Sequence, residues 1–252
     1  MRKTDLSAPM RFVSVCRIHS WAILWGGYAF EKLDYKNVAI LYEISSEYSL
    51  GITQNFTEAF EKKGGKITSS EAYKTGDVDF RAQLSKIKNQ GDFDALMIPA
   101  NYKEVGLIAK QARALGIDVP FLGVDAWMMQ DLFEVAKDEV QEAVFPCAMD
   151  VNDENLKEFK AAFQEKWDMD PDKGGTDAYL AYDCFDLIKA AIETAGEADP
   201  EKIRDALENS RDVQCLTSVI SIDPETHNPI RTASIFQIQG TEFVKLDEYR
   251  FE

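Results

Sequence analysis

The chain has 252 residues, of which 45% are hydrophobic, 29% charged and 11% aromatic. That composition supplies a sizeable core and excludes disorder as a global state. Acids outnumber bases 44 to 28, for a net charge of −16, which excludes nucleic-acid binding by bulk charge and attraction to anionic lipid. The two histidines, His19 and His227, exclude a histidine-rich metal site. The cysteines Cys16, Cys147, Cys184 and Cys215 contain no C-x-x-C pair and read as buried thiols.

At the amino end, Arg2 and Lys3 are followed by polar residues and Pro9 rather than an apolar h-region, so no export signal is expected in the chain as written. Residues 12–30 are fairly apolar, but Arg17, His19 and Gly26-Gly27 interrupt them. No stretch is long enough to span a bilayer, and no membrane insertion is expected.

From Asn37 the sequence alternates short apolar runs with helix-period runs. Val38-Ala39-Ile40-Leu41-Tyr42 reads as a strand buried on both faces. Ile52, Phe56, Ala59 and Phe60 give a helix stripe ending at Gly64-Gly65. Residues 67–73 read as a strand, Phe80, Leu84 and Ile87 as the next helix, and 93–98 as a strand closed by Pro99. Val105, Ile108, Ala112 and Leu115 mark a helix stopped by Gly116. Residues 119–123 form a fourth strand, 129–136 a short helix and 143–149 a fifth strand. Such alternation predicts an α/β fold with a parallel sheet and helices on both faces.

After Asp150 the rhythm changes. Asn152 is placed to cap a helix with the stripe Leu156, Phe159, Phe163 and Trp167. A long helix is predicted over 177–195, with Tyr179, Tyr182, Phe185, Ile188, Ala191 and Ile192 apolar. Asp199-Pro200 opens a third helix through Leu207. Strands follow at 216–222, 232–239 and 243–246. Three amphipathic helices in a row need a surface to cover, either the first sheet or one that lies elsewhere.

Ligands bind outside the carboxyl ends of strands in open parallel sheets. After the first strand come Glu43 and Tyr48, after the third Asn101 and Tyr102, and after the fourth Asp125 and Trp127. A carboxylate, an amide and aromatic faces on one edge suit a small molecule with a positive amine and an organic body. Asp77 and Asp79 precede a helix, where capping is the favoured role. There is no G-x-S-x-G elbow, no phosphate loop, no G-x-G-x-x-G and no H-E-x-x-H. An enzyme is therefore not expected, and no cofactor is implied.

Residues 42–51 (YEISSEYSLG), 73–84 (YKTGDVDFRAQL), 101–116 (NYKEVGLIAKQARALG) and 120–127 (PFLGVDAW) resemble the branched-chain amino-acid binding proteins of ABC importers, which are type I periplasmic binding proteins. The likeness continues through 177–196 (DAYLAYDCFDLIKAAIETAG), 199–207 (DPEKIRDAL) and 216–244, and it covers nearly the whole chain. It implies a type I periplasmic-binding-protein fold with one complete Rossmann-like parallel-sheet lobe and an incomplete second lobe. Residues 1–33 would be a divergent amino-terminal segment with the first crossing, and 34–149 the complete α/β lobe, the family's second. Residues 150–212 would supply helices of the family's first lobe, and 213–252 strands returning to the second.

The resemblance places Tyr48 as the ligand-facing aromatic and Asp125 as the acid that pairs with a ligand α-ammonium. Asn101 and Tyr102 stand for a tyrosine pair with one member changed, and Asp177 stands where many members have an aromatic. The implied function is an amino-acid-binding component of an ABC importer, closing on its ligand and docking on a membrane permease. The serine and threonine hydroxyls that hold the ligand carboxylate in the family lie in an amino-terminal segment that the chain as written lacks, so weak or no amino-acid binding is expected of this chain alone. The resemblance implies a periplasmic or extracellular location, whereas the sequence as written implies a cytoplasmic one. The alternatives are a ligand-sensing or interaction module of the same fold, or a non-functional gene fragment.

Overall fold

The computed structural model describes residues 18–225 and 227–250. The readings placed on residues 1–17, among them Cys16 and the export signal, lie outside the described residues. The first element is a helix, α1 (Ile18–Glu31), in a stretch where the sequence reading placed none. Its buried residues Ala22, Trp25, Tyr28 and Ala29 follow helical spacing, a signal hidden by the apolar residues between them. It packs on α2 (Glu47–Lys62). Gly26 makes the approach possible, because a Cβ there would lie 2.7 Å from the Phe56 carbonyl oxygen and 2.9 Å from the Phe60 nitrogen.

The predicted alternation follows: β1 (Asn37–Glu43), α2, β2 (Lys66–Tyr73), α3 (Arg81–Asn89), β3 (Ala95–Met97), α4 (Tyr102–Ala114), β4 (Phe121–Leu122), α5 (Asp131–Ala136) and β5 (Val144–Cys147). The helix stripes read from sequence are the buried ones: Ile52, Phe56, Ala59 and Phe60 on α2, Leu84 and Ile87 on α3, Val105, Ile108 and Ala112 on α4. Ser46 caps α2 by accepting the Ser49 N–H at 3.2 Å. Asp79 accepts the Arg81 N–H at 3.1 Å from one residue outside the cap position, and Asp77 instead closes its own turn by accepting the Lys74 N–H at 2.8 Å.

The strands form a seven-stranded sheet in the order β10-β9-β5-β4-β3-β1-β2, with β9 (Thr232–Gln239) and β10 (Glu242–Arg250) at one edge. β1 to β5 pair in parallel, whereas β9 runs antiparallel to β5 and to β10. The order reverses direction at β1, which has β2 on one side and β3 on the other. The crevice outside the carboxyl ends of β1 and β3 is therefore the topological switch point.

The helices after β5 are α6 (Lys157–Trp167), α7 (Asp177–Ala195) and α8 (Pro200–Glu208). Asn152 does not cap. Its own N–H goes to Asp150 at 2.9 Å, and Asp153 caps the 3₁₀ turn before α6 by accepting the Asn155 N–H at 2.9 Å. Asp199 caps α8 through the Glu201 and Lys202 amides, with Pro200 in the first turn as expected. Leu187 of α7 packs with Leu207, Ile220 and Ile222 in a small separate cluster. One face of α7 stays open: Tyr182 is 44%, Phe185 56%, Ile188 47% and Ile192 43% exposed.

Of the strand expected at 216–222 only β7 (Val219–Ile222) forms, and a separate two-residue strand, β6 (Val213–Gln214), precedes it. Between them the Leu216 and Thr217 amides are taken by the Asp186 and Asp183 carboxylates at 3.0 and 2.9 Å, which removes them from strand pairing. With β8 (Pro229–Ile230), these strands form a separate three-stranded sheet, so only β9 and β10 of the strands after 213 join the large one. Asp183 and Arg231 are fully buried and paired at 3.3 Å, and Arg231 also donates to the Ala148 carbonyl at 3.2 Å. Burial pushes the Asp183 carboxyl up, and bonds from Thr217 and Arg231 oppose that shift. This cluster ties together the segments that follow β5, precede β7 and precede β9.

Candidate ligand-binding site

An open cleft of about 550 Å³ lies at the switch point, lined by residues that include Tyr48, Asn101, Tyr102, Asp125 and Asp177. Each sits at the start of an element. Tyr48 is in the first turn of α2, Asn101 is the cap residue of α4 with Tyr102 its first residue, and Asp177 is the first residue of α7. Asp125 opens the 3₁₀ turn after β4. The short strands deliver these starts to one edge, and α7 reaches the same cleft from beyond β5.

The Tyr48 hydroxyl donates to Asp125 Oδ1, joining the α2 and β4 sides of the cleft. Burial pushes the Asp125 carboxyl above its ordinary value; the Tyr48 bond and the Ala126 amide oppose this, and the charge of Asp177 adds to it. Burial and the Asp125 charge push Tyr48 well above 10, so its phenol remains a donor. No ion pair to this carboxylate is present among the described residues, and an ammonium group arriving in the cleft would supply a counter-ion. Tyr102, Met128 and Met129 offer apolar surface beside it.

Trp127 is not in the cleft. It is fully buried, with its ring tilted against Phe145 at 6.4 Å and its Nε1 without a hydrogen-bond partner. The strand-end rule places it at the cleft because it follows the fourth strand, but the 3₁₀ turn leaves it in the core. The sequence reading missed Ser46, Lys103, Glu104, Ala126, Met128, Met129, Gly175 and Thr176 in the lining. Each lies in a cap, a first turn or a connecting turn next to a residue that was chosen. Gly175 has φ +67, which suits glycine, where the chain turns into α7.

Among the described residues one group has metal-ligand spacing: Asp183, Asp186 and Cys215 bring ligand atoms within 4.8 Å of one another. Its donors are engaged otherwise. Asp183 serves Thr217 and Arg231, Asp186 serves Leu216, and burial pushes the Cys215 thiol up to about 12. These residues do not fit a metal ion. Burial likewise pushes Cys147 up to about 12, while Cys184 and Cys215 are half-buried rather than buried. No helix among the described residues is long and apolar enough to cross a membrane.

Residues 19–242 match the family model described as periplasmic binding protein. Over 184 residues the chain is 32% identical to the leucine-, isoleucine-, valine-, threonine- and alanine-binding protein of Pseudomonas aeruginosa, covering 72% of this chain and 48% of that one. Among solved structures it is similar to the leucine-binding protein LivK of Thermotoga maritima, with TM-score 0.80, 26% identity and coverage of 93% of this chain and 66% of that one. It is also similar to LivJ, a branched-chain amino acid transporter substrate-binding protein of Streptococcus pneumoniae solved with isoleucine, with TM-score 0.75, 29% identity and coverage of 92% and 65%. The chain thus spans about half the length of the curated relatives it matches and about two thirds of these solved ones. The family and these neighbours are binding proteins rather than enzymes. By the match through residues 19–242 and the strand-end cleft it carries, the chain belongs to the periplasmic binding protein family, in its type I, branched-chain-amino-acid-binding-like form.

Proposed function

We propose that the chain acts in solute binding for an ABC importer of branched-chain or related amino acids, with Asp125 pairing the ligand ammonium. The observation that carries this reading is the Tyr48–Asp125 pair set at the switch-point cleft. Tyr48 fixes one carboxylate oxygen of Asp125, which borders the cleft where a ligand ammonium would meet it. Asn101 and Tyr102 form one side, and Asp177 borders the cleft from α7.

In this reading residues 34–149 with β9 and β10 form one lobe, and residues 150–212 belong to the other. The open face of α7 supports that division, since an apolar stripe of this kind needs a covering sheet. Closure of the two lobes on the ligand and docking on a permease, outside the cytoplasmic membrane, complete the proposal.

Asn101 and Asp177 are exposed, so the cleft walls off only part of a ligand. The described chain by itself is therefore expected to bind an amino acid weakly, with Kd on the order of millimolar. The test is thermal unfolding across a panel of amino acids. A ligand that binds only the native state raises the midpoint by mass action, by about 2 kcal/mol in stability at twenty times its Kd. An amino-acid-dependent rise that vanishes in Asp125→Asn is expected. A rise that survives this substitution would overturn the role of Asp125, and micromolar affinity would overturn the partly walled site.

A further inference from the structure

The wall of the cleft that comes from beyond β5 is the start of α7, where Gly175, Thr176 and Asp177 line it. Six residues further along that helix, about 9 Å of axial rise, stands Asp183, fully buried with Arg231. Arg231 donates to Asp183 Oδ2 at 3.3 Å, to the Ala148 carbonyl at 3.2 Å and to Thr217 Oγ1. The Thr217 hydroxyl donates in turn to Asp183 Oδ2, and the Thr217 amide donates to Oδ1 at 2.9 Å. Ala148 follows β5 and Arg231 precedes β9, two paired strands of the large sheet. Nearer the cleft, Leu180 packs against Ala148 and Ala233. The early part of α7 is thus fastened to the large sheet at one joint.

A buried ion pair is a poor device for stability alone, because its desolvation offsets its attraction and an apolar set of similar volume packs as well. What it adds is direction. An apolar contact tolerates small slides and rotations, whereas a guanidinium fork bonded to three acceptors does not. We propose that Asp183, Arg231 and Thr217 are positioning residues for ligand binding: the clamp they form holds the start of α7, with Asp177, at a set distance from Asp125 across the cleft. The inference rests on the reading of the cleft as the ligand site. None of the three residues lines the cleft, so they act through the helix and not by touching a ligand. With α7 in one lobe and β5 and β9 in the other, the clamp is the fulcrum about which α7 turns as the lobes close.

The experiment measures L-valine affinity by amide NMR for the full chain and for Thr217→Val, which removes the linking hydroxyl and keeps the side-chain volume. Thr217→Ser, which keeps the hydroxyl, is the rescue, and each is repeated with Asp177→Ala. Thr217→Val is expected to weaken valine binding about fivefold and, in the free chain, to shift the amides at 175–177 while those at 46–48 stay in place. Thr217→Ser is expected to restore both. With Asp177→Ala the Thr217→Val effect is expected to shrink below about twofold, because the group that the clamp positions is gone. A clamp that only stabilises the fold lowers the melting temperature and weakens binding equally with and without Asp177; that result overturns the proposal, as does unchanged affinity in Thr217→Val. Arg231→Lys keeps the charge and loses the fork, and it carries the same expectations where Thr217→Val fails to fold. If the unsubstituted chain binds no valine, the ligand reading fails, and the free-chain shifts decide the clamp by themselves: amides at 175–177 that move uphold it, and amides that stay in place overturn it.

Discussion

At Asp125, binding and stability pull in opposite directions. Burial raises its carboxyl, so the folded chain holds the proton to higher pH than the unfolded chain does. The stability this group contributes is full below the ordinary carboxylate value and is lost as pH rises through the raised value in the fold. Asp125→Asn is therefore expected to raise the melting temperature near neutral pH by a few degrees, about 1 kcal/mol, while abolishing the ligand-dependent shift; a lower melting temperature would contradict this. An ammonium ligand needs the carboxylate, so affinity should fall as pH drops through the same value. Tyr48 donates to the ionised form, and Tyr48→Phe should move that midpoint to higher pH in a titration of affinity against pH. An unmoved midpoint would contradict the pairing. Tyr48, Asn101, Tyr102 and Asp125 were legible because each follows a strand end, and Asp177 came from the family likeness alone. Trp127 misled because nearness in sequence does not set the direction of a side chain in a tight turn.

Strands and helices were most legible where the pattern was simple. Val38 to Leu41 are all fully buried, as a strand covered on both faces requires. Helix α1 was not legible because Gly26-Gly27 reads as a break, and only the packing against α2 explains the first glycine. That account separates the two. Gly26→Ala drives a Cβ against backbone atoms of Phe56 and Phe60 and should cost about 1–3 kcal/mol in urea unfolding. A Cβ on Gly27 meets only Lys63 Cε at 4.0 Å, so Gly27→Ala should gain about 0.5–1 kcal/mol through helix propensity. Equal effects at the two sites would contradict the close helix approach. The β6–β7 interruption was hidden for a different reason. Val219 to Ile222 continue the strand pattern, and only Asp183 and Asp186, distant in sequence, reveal why the residues before them leave it.

Over the whole molecule, a net charge of −16 keeps most of the surface hydrated, yet α7 presents Tyr182, Phe185, Ile188 and Ile192 to solvent. A patch of this kind binds apolar probes. The pair Phe185→Glu with Ile188→Glu should remove binding of a hydrophobic dye and leave thermal stability within about 0.5 kcal/mol, because both side chains are already exposed. A large loss of stability would mean that this face is packed in solution. The sequence announced these helices and their apolar faces, but it did not say which of the two surfaces they would cover. The central claim is that the strand-end cleft recognises an amino acid through its ammonium group. It is tested most directly by amide NMR of the labelled chain titrated with L-valine and, separately, with 3-methylbutanoate, the same molecule without its amine. The account predicts saturable shifts clustered at residues 46–48, 101–104, 125–129 and 175–177 with valine and none with 3-methylbutanoate. Equal shifts with both compounds, or valine shifts confined to other parts of the chain, would contradict it.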